Sequence, residues 1–198
     1  MPVVISMLRG VNLGSHHRIQ MAPLRELYES LGVREPKSYV QSGNVVFKTS
    51  ERNLAALGRR IEEGIERKFG FRPDVILRTT SEMKDVVARN PFAKRTDIHP
   101  SKLLVTFLAS HPTPEARDAV LASNVTRAQR APNALCATQT GPEELRIDGR
   151  EIYIYFPNGQ GRSKLSWVRI EKMLNVRGTG RNWNTVSELL AMAEAFES

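Results

Sequence analysis

Residues 38–48, SYVQSGNVVFK, hold two β-rich runs parted by Ser42, Gly43 and Asn44. Glycine and asparagine accept the positive φ of a tight turn, so the stretch predicts a β-hairpin. Upstream, the short apolar run at 3–7 (VVISM) has the pattern of a fully buried strand. Between the two, Met21, Leu24, Leu27, Tyr28 and Leu31 recur at helical spacing, with Pro23 in the first turn and Gly32 as a stop. Downstream, Leu54, Leu57, Ile61, Ile65 and Phe69 predict a second amphipathic helix, capped by Ser50, and 74–78 (DVILR) a further strand. The order is β-α-β-β-α-β, a ferredoxin-like split βαβ unit. A third helix over 81–90 ends before Pro91.

The second half repeats this order without residue-level identity to the first. A strand at 102–109 (KLLVTFLA) leads to a helix with Thr113 as N-cap and Pro114 at its first position, running to about Ala122. ELRI and EIYIYF form a hairpin through Asp148 and Gly149. A helix is predicted over 163–174 and a short strand over 176–179. A capping box of Thr185 and Glu188 opens a last helix with Val186, Leu189, Leu190, Ala193 and Phe196. The irregular stretch 125–142 has room for a further strand at ALCAT (134–138). The expected fold is α+β, with two tandem ferredoxin-like units, 1–92 and 93–198, each carrying an extra helix.

Composition is that of an ordinary globular protein: 198 residues, 40% hydrophobic and 25% charged, with a core large enough for one domain or two small ones. Disordered, collagenous and disulfide-scaffold classes are excluded. The net charge is +8, and residues 162–181 hold Arg162, Lys164, Arg169, Lys172, Arg177 and Arg181 against the single acid Glu171. Such a balance favours acidic partners. Cys136 is the one cysteine, which permits no intramolecular disulfide. The N-terminus reads as no secretory signal, and no apolar run approaches a membrane span, so a cytoplasmic protein without a membrane partner is expected.

Strand directions in such units place the loop at 9–14 (RGVNLG) beside 41–44 (QSGN). At the opposite end, in the second half, they place 157–164 beside 180–185. In YFPNGQGRSKLS (155–166) the chain leaves a strand, passes Asn158, Gly159 and Gly161, and enters a predicted helix with Lys164 in its first turn and Arg162 nearby. Glycines free backbone N–H groups to face a ligand, and helix starts and cations favour negative charge. The stretch is neither a P-loop nor a dinucleotide fingerprint. Its predicted neighbour GTGRNWNT offers Arg181, Asn182, Trp183 and Asn184, where Trp183 either stacks on a base or plugs the gap between helix and sheet. Arg9 and Asn12 follow a buried strand, where binding residues often sit, and Arg9 suits bidentate contact with a carboxylate or phosphate; the alternative is an internal salt bridge or carbonyl cap from Arg9, with Asn12 holding the turn.

Other chemistries lack their residues. His16, His17, His99 and His111 show no metal-ligand spacing, Cys136 has no histidine partner in view, and there is no Gly-x-Ser-x-Gly elbow or acidic cluster for two-metal chemistry. No metal or cofactor is expected, and no residue stands out as catalytic.

Four separated motifs, MLRGVNLG, YVQSGNVVF, YFPNGQGRSKLS and GRNWNTVSELL, in this order and at this spacing resemble the bacterial domain-of-unknown-function family numbered 1697. The likeness spans nearly the whole chain and implies a cytosolic α+β protein with ferredoxin-like organisation. It assigns no catalytic role. The expected ligand is a phosphate-bearing small molecule or nucleotide held by Asn158, Gly159, Gly161, Arg162, Lys164, Arg181, Asn182, Trp183 and Asn184, with Arg9 and Asn12 as further candidates. The alternative is a nucleic-acid-binding module using the basic surface, although no strand carries an aromatic-rich RNA-binding pattern.

Overall fold

The computed structural model of the protein describes residues 1–14, 16–128 and 142–197. Its first elements are β1 (Val3–Leu8), α1 (Met21–Ser30), β2 (Arg34–Tyr39), β3 (Asn44–Lys48), α2 (Leu54–Phe69), β4 (Val75–Thr79) and α3 (Thr80–Ala88). Alternation along the strands turns Val4, Leu8, Val45 and Phe47 into one core with Leu24 and Tyr28 of α1 and Leu57, Ile61 and Ile65 of α2. Ser6 lies in the same row and meets the buried Tyr28 hydroxyl at 2.7 Å. The four strands pair antiparallel in the order β2-β3-β1-β4.

The later elements are β5 (Leu103–Leu108), α4 (Pro114–Ala128), β6 (Glu144–Asp148), β7 (Glu151–Tyr155), α5 (Trp167–Leu174), β8 (Gly178–Asn182) and α6 (Trp183–Glu197). They build a second antiparallel sheet, ordered β6-β7-β5-β8, so the class is α+β. Leu108, Leu145, Ile152 and Ile154 pack with Val120 of α4 and Ile170 and Leu174 of α5. The intervening residues of both sheets are buried as well: Ile5, Met7 and Val46 in the first, Val105, Phe107 and Tyr153 in the second, all 0% exposed.

Several boundaries differ from the expected ones for local reasons. Asn53, not Ser50, caps α2, its side chain accepting from the Ala56 N–H at 3.0 Å. Helix α4 begins at Pro114, with Thr113 Oγ1 accepting from the Ala116 N–H, and runs past Ala122 to Ala128. Helix α5 does not begin at Ser163. That hydroxyl accepts the Leu165 N–H in a local turn, and Ser166 caps the helix by accepting from the Arg169 N–H. The last strand lies at 178–182 rather than 176–179, and α6 starts at Trp183, so Thr185 is not its cap. Glycines explain that shift: a Cβ at Gly178 would lie 3.0 Å from Trp167 and from the Phe107 carbonyl, and one at Gly180 3.2 Å from Leu104. The strand registers where its bare backbone fits beneath these side chains. ALCAT and Cys136 lie outside the described residues.

The chain divides into two compact units, Met1–Ala88 with Thr185–Ser198, and Arg89–Asn184. This departs from a division at 92/93 in the placement of the last helix. Val186, Leu189, Ala193 and Phe196 of α6 are buried, Lys37 and Lys48 stand over the Phe196 ring at 4.5 and 5.4 Å, and Lys84 faces Glu194 and Glu197 at 3.5 Å. No helix among the described residues is long and apolar enough to cross a membrane.

Candidate functional site

In the second unit, register decides which loops share an end of the sheet. Leu103 pairs with Tyr155 and Leu104 with Asn182, so β7 and β8 both finish beside the start of β5. Two strands flanking a third stand about 10 Å apart, twice the usual inter-strand spacing. The loop after β7 is tied down there: the Phe156 N–H donates to the Lys102 carbonyl at 2.8 Å, and Lys102 Nζ donates to the Pro157 carbonyl at 2.7 Å.

From Pro157 the loop turns through Gly159, whose φ of 81° and ψ of 151° are open essentially to glycine alone, into a 3-10 turn at Gln160–Arg162. The N–H groups of Gly159, Arg162, Ser163 and Leu165 donate within the loop. The backbone is therefore less free to cradle an anion than the glycines suggest. Side chains remain: Asn158, Gln160, Arg162 and Lys164 are exposed, as are Asn182 and Asn184 across β5. Among the described residues Arg162 and Lys164 have no side-chain hydrogen bond or ion pair. No Asp or Glu occurs between 157 and 170. Lys164 sits before the helix rather than in its first turn.

Trp183 is half-buried at the start of α6. Arg181 is not part of the exposed group. It is 9% exposed, and its guanidinium donates to Thr179 Oγ1 and to the Gly180 carbonyl, both at 2.8 Å. Burial pushes its pKa down to about 10, so it stays cationic at neutral pH. Strand alternation is the cause: Arg181 pairs with Val105, on the face turned away from α4 and α5.

In the first unit, the loop at 9–14 does meet the hairpin tip. The Leu8 N–H donates to the Gly43 carbonyl, and Asn12 Nδ2 donates to the Gln41 and Ile19 carbonyls at 2.6 and 2.9 Å. Asn12 Oδ1 accepts from the Ile19 N–H, and its backbone takes φ 55°. Arg9 pairs with Asp74 at 3.4 Å. These groups are engaged internally: Asn12 holds the turn and Arg9 has a carboxylate partner of its own.

Sequence reading passed over four residues that matter to these ends. Lys102 fastens the β7 exit and had no motif to mark it. Arg169 and Lys172 were visible only as part of a local charge count. Arg78, 1% exposed on β4, pairs with Ile5 as Arg181 pairs with Val105, the third residue of β1 and β5 respectively. That correspondence shows only in the register.

The second unit thus presents a cation-bearing loop end on an α+β framework. Comparison with known proteins says where such a chain belongs. It is a member of the family described as Protein of unknown function (DUF1697), whose pattern matches residues 1–153. That match contains the motifs MLRGVNLG and YVQSGNVVF; the two later motifs lie beyond it. A solved structure, that of the conserved bacterial protein SP0830 from Streptococcus pneumoniae, is similar over 97% of this chain and 98% of that one, with a TM-score of 0.65 and 18% identity. At that identity the likeness speaks to the fold alone. No curated protein matches the chain.

Proposed function

We propose that the second unit binds a phosphate-bearing small molecule or nucleotide at the loop end formed by residues 157–164 and 182–184. The observation that carries this reading is a pair of exposed cations, Arg162 and Lys164, without a carboxylate partner among the described residues, on a loop anchored by Lys102. Arginine supplies a planar fork for phosphate oxygens and lysine a compact charge. Asn158, Asn182 and Asn184 add amide donors. Gly161 supports the same reading: it has an ordinary φ and open space where a Cβ would stand, so nothing in the fold demands glycine there, and a ligand can approach its backbone closely. Arg181 serves the sheet and not the ligand, and Arg9 and Asn12 serve the first unit.

We read both units as ferredoxin-like. The element order β-α-β-β-α-β in each, and the matching sheet orders β2-β3-β1-β4 and β6-β7-β5-β8, support that reading. Nucleic acid laid on an open sheet face has little to support it here, because Val105, Phe107 and Tyr153 are fully buried and offer no exposed rings.

The test is calorimetric titration with ATP and with inorganic tripolyphosphate. Charge-assisted hydrogen bonds are worth about 1.5–3 kcal/mol each. The double variant R162A/K164A is therefore expected to bind ATP at least ~10-fold more weakly, with an unchanged melting temperature. Equal ATP affinity in the double variant and the parent protein rules the site out.

A further inference from the structure

The loop is one end of a longer basic track. Helix α5 turns Ile170 and Leu174 into the core and leaves Val168, Arg169 and Lys172 exposed. Arg169 and Lys172, three residues apart, share one face. Like Arg162 and Lys164, they have no side-chain hydrogen bond or ion pair among the described residues. The single acid of this stretch, Glu171, is turned to the sheet, where its Oε1 accepts the Gly178 N–H at 2.9 Å. Four cations therefore run from the β7 exit along the first turn and a half of α5 with no carboxylate pointing out among them.

That length decides what the track fits. From Ser166 to Lys172 a helix rises about 9 Å, and the preceding loop extends the row. A single phosphate group meets only part of it. A nucleic-acid strand carries one phosphate per nucleotide, so successive phosphates can occupy the whole row. Across β5, at the same sheet end, the exposed amides of Asn182 and Asn184 and the half-buried Trp183 offer hydrogen bonds and a ring edge to bases splayed from such a strand.

We propose that the natural phosphate-bearing ligand of this site is a single-stranded nucleic acid, held by its backbone on Arg162, Lys164, Arg169 and Lys172. The proposal rests on the loop's binding phosphate, and adds that the ligand is a strand. An anionic membrane fits the same charges less well. Helix α5 has eight residues and exposes one apolar side chain, Val168, too little to embed.

The test compares a fluorescent 15-residue oligothymidylate, read by anisotropy across a salt series, with ATP, read by calorimetry. The oligonucleotide is expected to bind the parent protein at least ~10-fold more tightly than ATP. Variant R169A/K172A should lose roughly fivefold or more of the oligonucleotide affinity and flatten the log–log salt slope by about 1.4, two single-strand phosphates at about 0.7 each. Its ATP affinity should not change, and the charge-keeping R169K/K172R should retain the strand. If R169A/K172A binds the oligonucleotide with the parent's affinity and slope while ATP still binds, the ligand is compact and the strand proposal fails alone. Absence of both ligands from the parent protein removes the phosphate site as well. Tighter binding of a duplex of equal length, or binding to phosphatidylserine vesicles without binding to the oligonucleotide, likewise overturns it.

Discussion

The two units treat one topological position in opposite ways. Where β3 passes into α2, residues 49–53 close upon themselves: the Glu51 N–H donates to Thr49 Oγ1, the Asn53 N–H to Glu51 Oε1, and the Ala56 N–H to Asn53 Oδ1, while Arg60 faces Glu51 at 3.9 Å. Where β7 passes into α5, the corresponding connection runs over 156–166, contains no acid, and leaves Arg162 and Lys164 pointing to solvent. A short connection with its own carboxylate neutralises its donors and has nothing to offer a ligand. A longer one that lacks carboxylates keeps its cations available. The same strand order thus yields an internally bonded connection in one unit and an exposed, cation-bearing one in the other.

The comparison can be broken most forcefully in the first unit, at Gly43. Its φ is 70°, and a Cβ there would stand 2.5 Å from Val11 Cγ2 and 2.8 Å from Leu8 Cβ. Gly43→Ala combines a left-handed backbone penalty with overpacking and should cost about 2–4 kcal/mol in urea unfolding. A cost under about 1 kcal/mol would mean that the hairpin tip packs loosely against Leu8 and Val11.

Arg181 tests how the second unit carries a buried cation. Its folded pKa lies near 10, below the ordinary 12.5, so between these values the unfolded chain binds more protons and stability rises with pH. Relative to Arg181→Met, the parent protein should hold a constant stability difference up to about pH 9. It should then gain about 1.4 kcal/mol by pH 11, one pH unit beyond the folded pKa. A flat difference across pH 8–11 contradicts the depressed value.

Removing the α2 cap with Asn53→Ala should cost about 1 kcal/mol of thermal or urea stability, and Ser50→Ala almost nothing. The smallest effect is assigned to Arg9→Ala. Its pair with Asp74 is partly solvated, with side-chain exposures of 32% and 27%, so the loss should stay below about 1 kcal/mol. ATP affinity should be untouched; a tenfold loss there would move the site into the first unit.

Much of the framework was legible because it depends on short-range rules. Apolar spacing located α1 and α2, and Gly43 with Asn44 located the first hairpin. Less legible were features set by contacts between distant residues. β8 takes its register from the space that Gly178 and Gly180 leave for Trp167 and Leu104, and neither partner is adjacent in sequence. Arg181 looked like a loop residue until that register placed it within a strand and beneath the surface. The helix expected from Ser163 is delayed by the local turn at Leu165, and Ser166 caps it instead. The candidate site was readable as charge, glycine content and lack of acids, whereas the side on which Glu171 of α5 lies required the structure.

Because α6 completes the first unit, residues 89–184 are an insertion within it rather than a sequel to it. During synthesis the ribosome releases the whole of that insertion before Phe196 can reach the lysines of β2 and β3. The amino-terminal sheet therefore emerges first but is finished last. A chain halted near residue 184 would hold a complete second unit beside an unfinished first one, a ready substrate for chaperones and proteases.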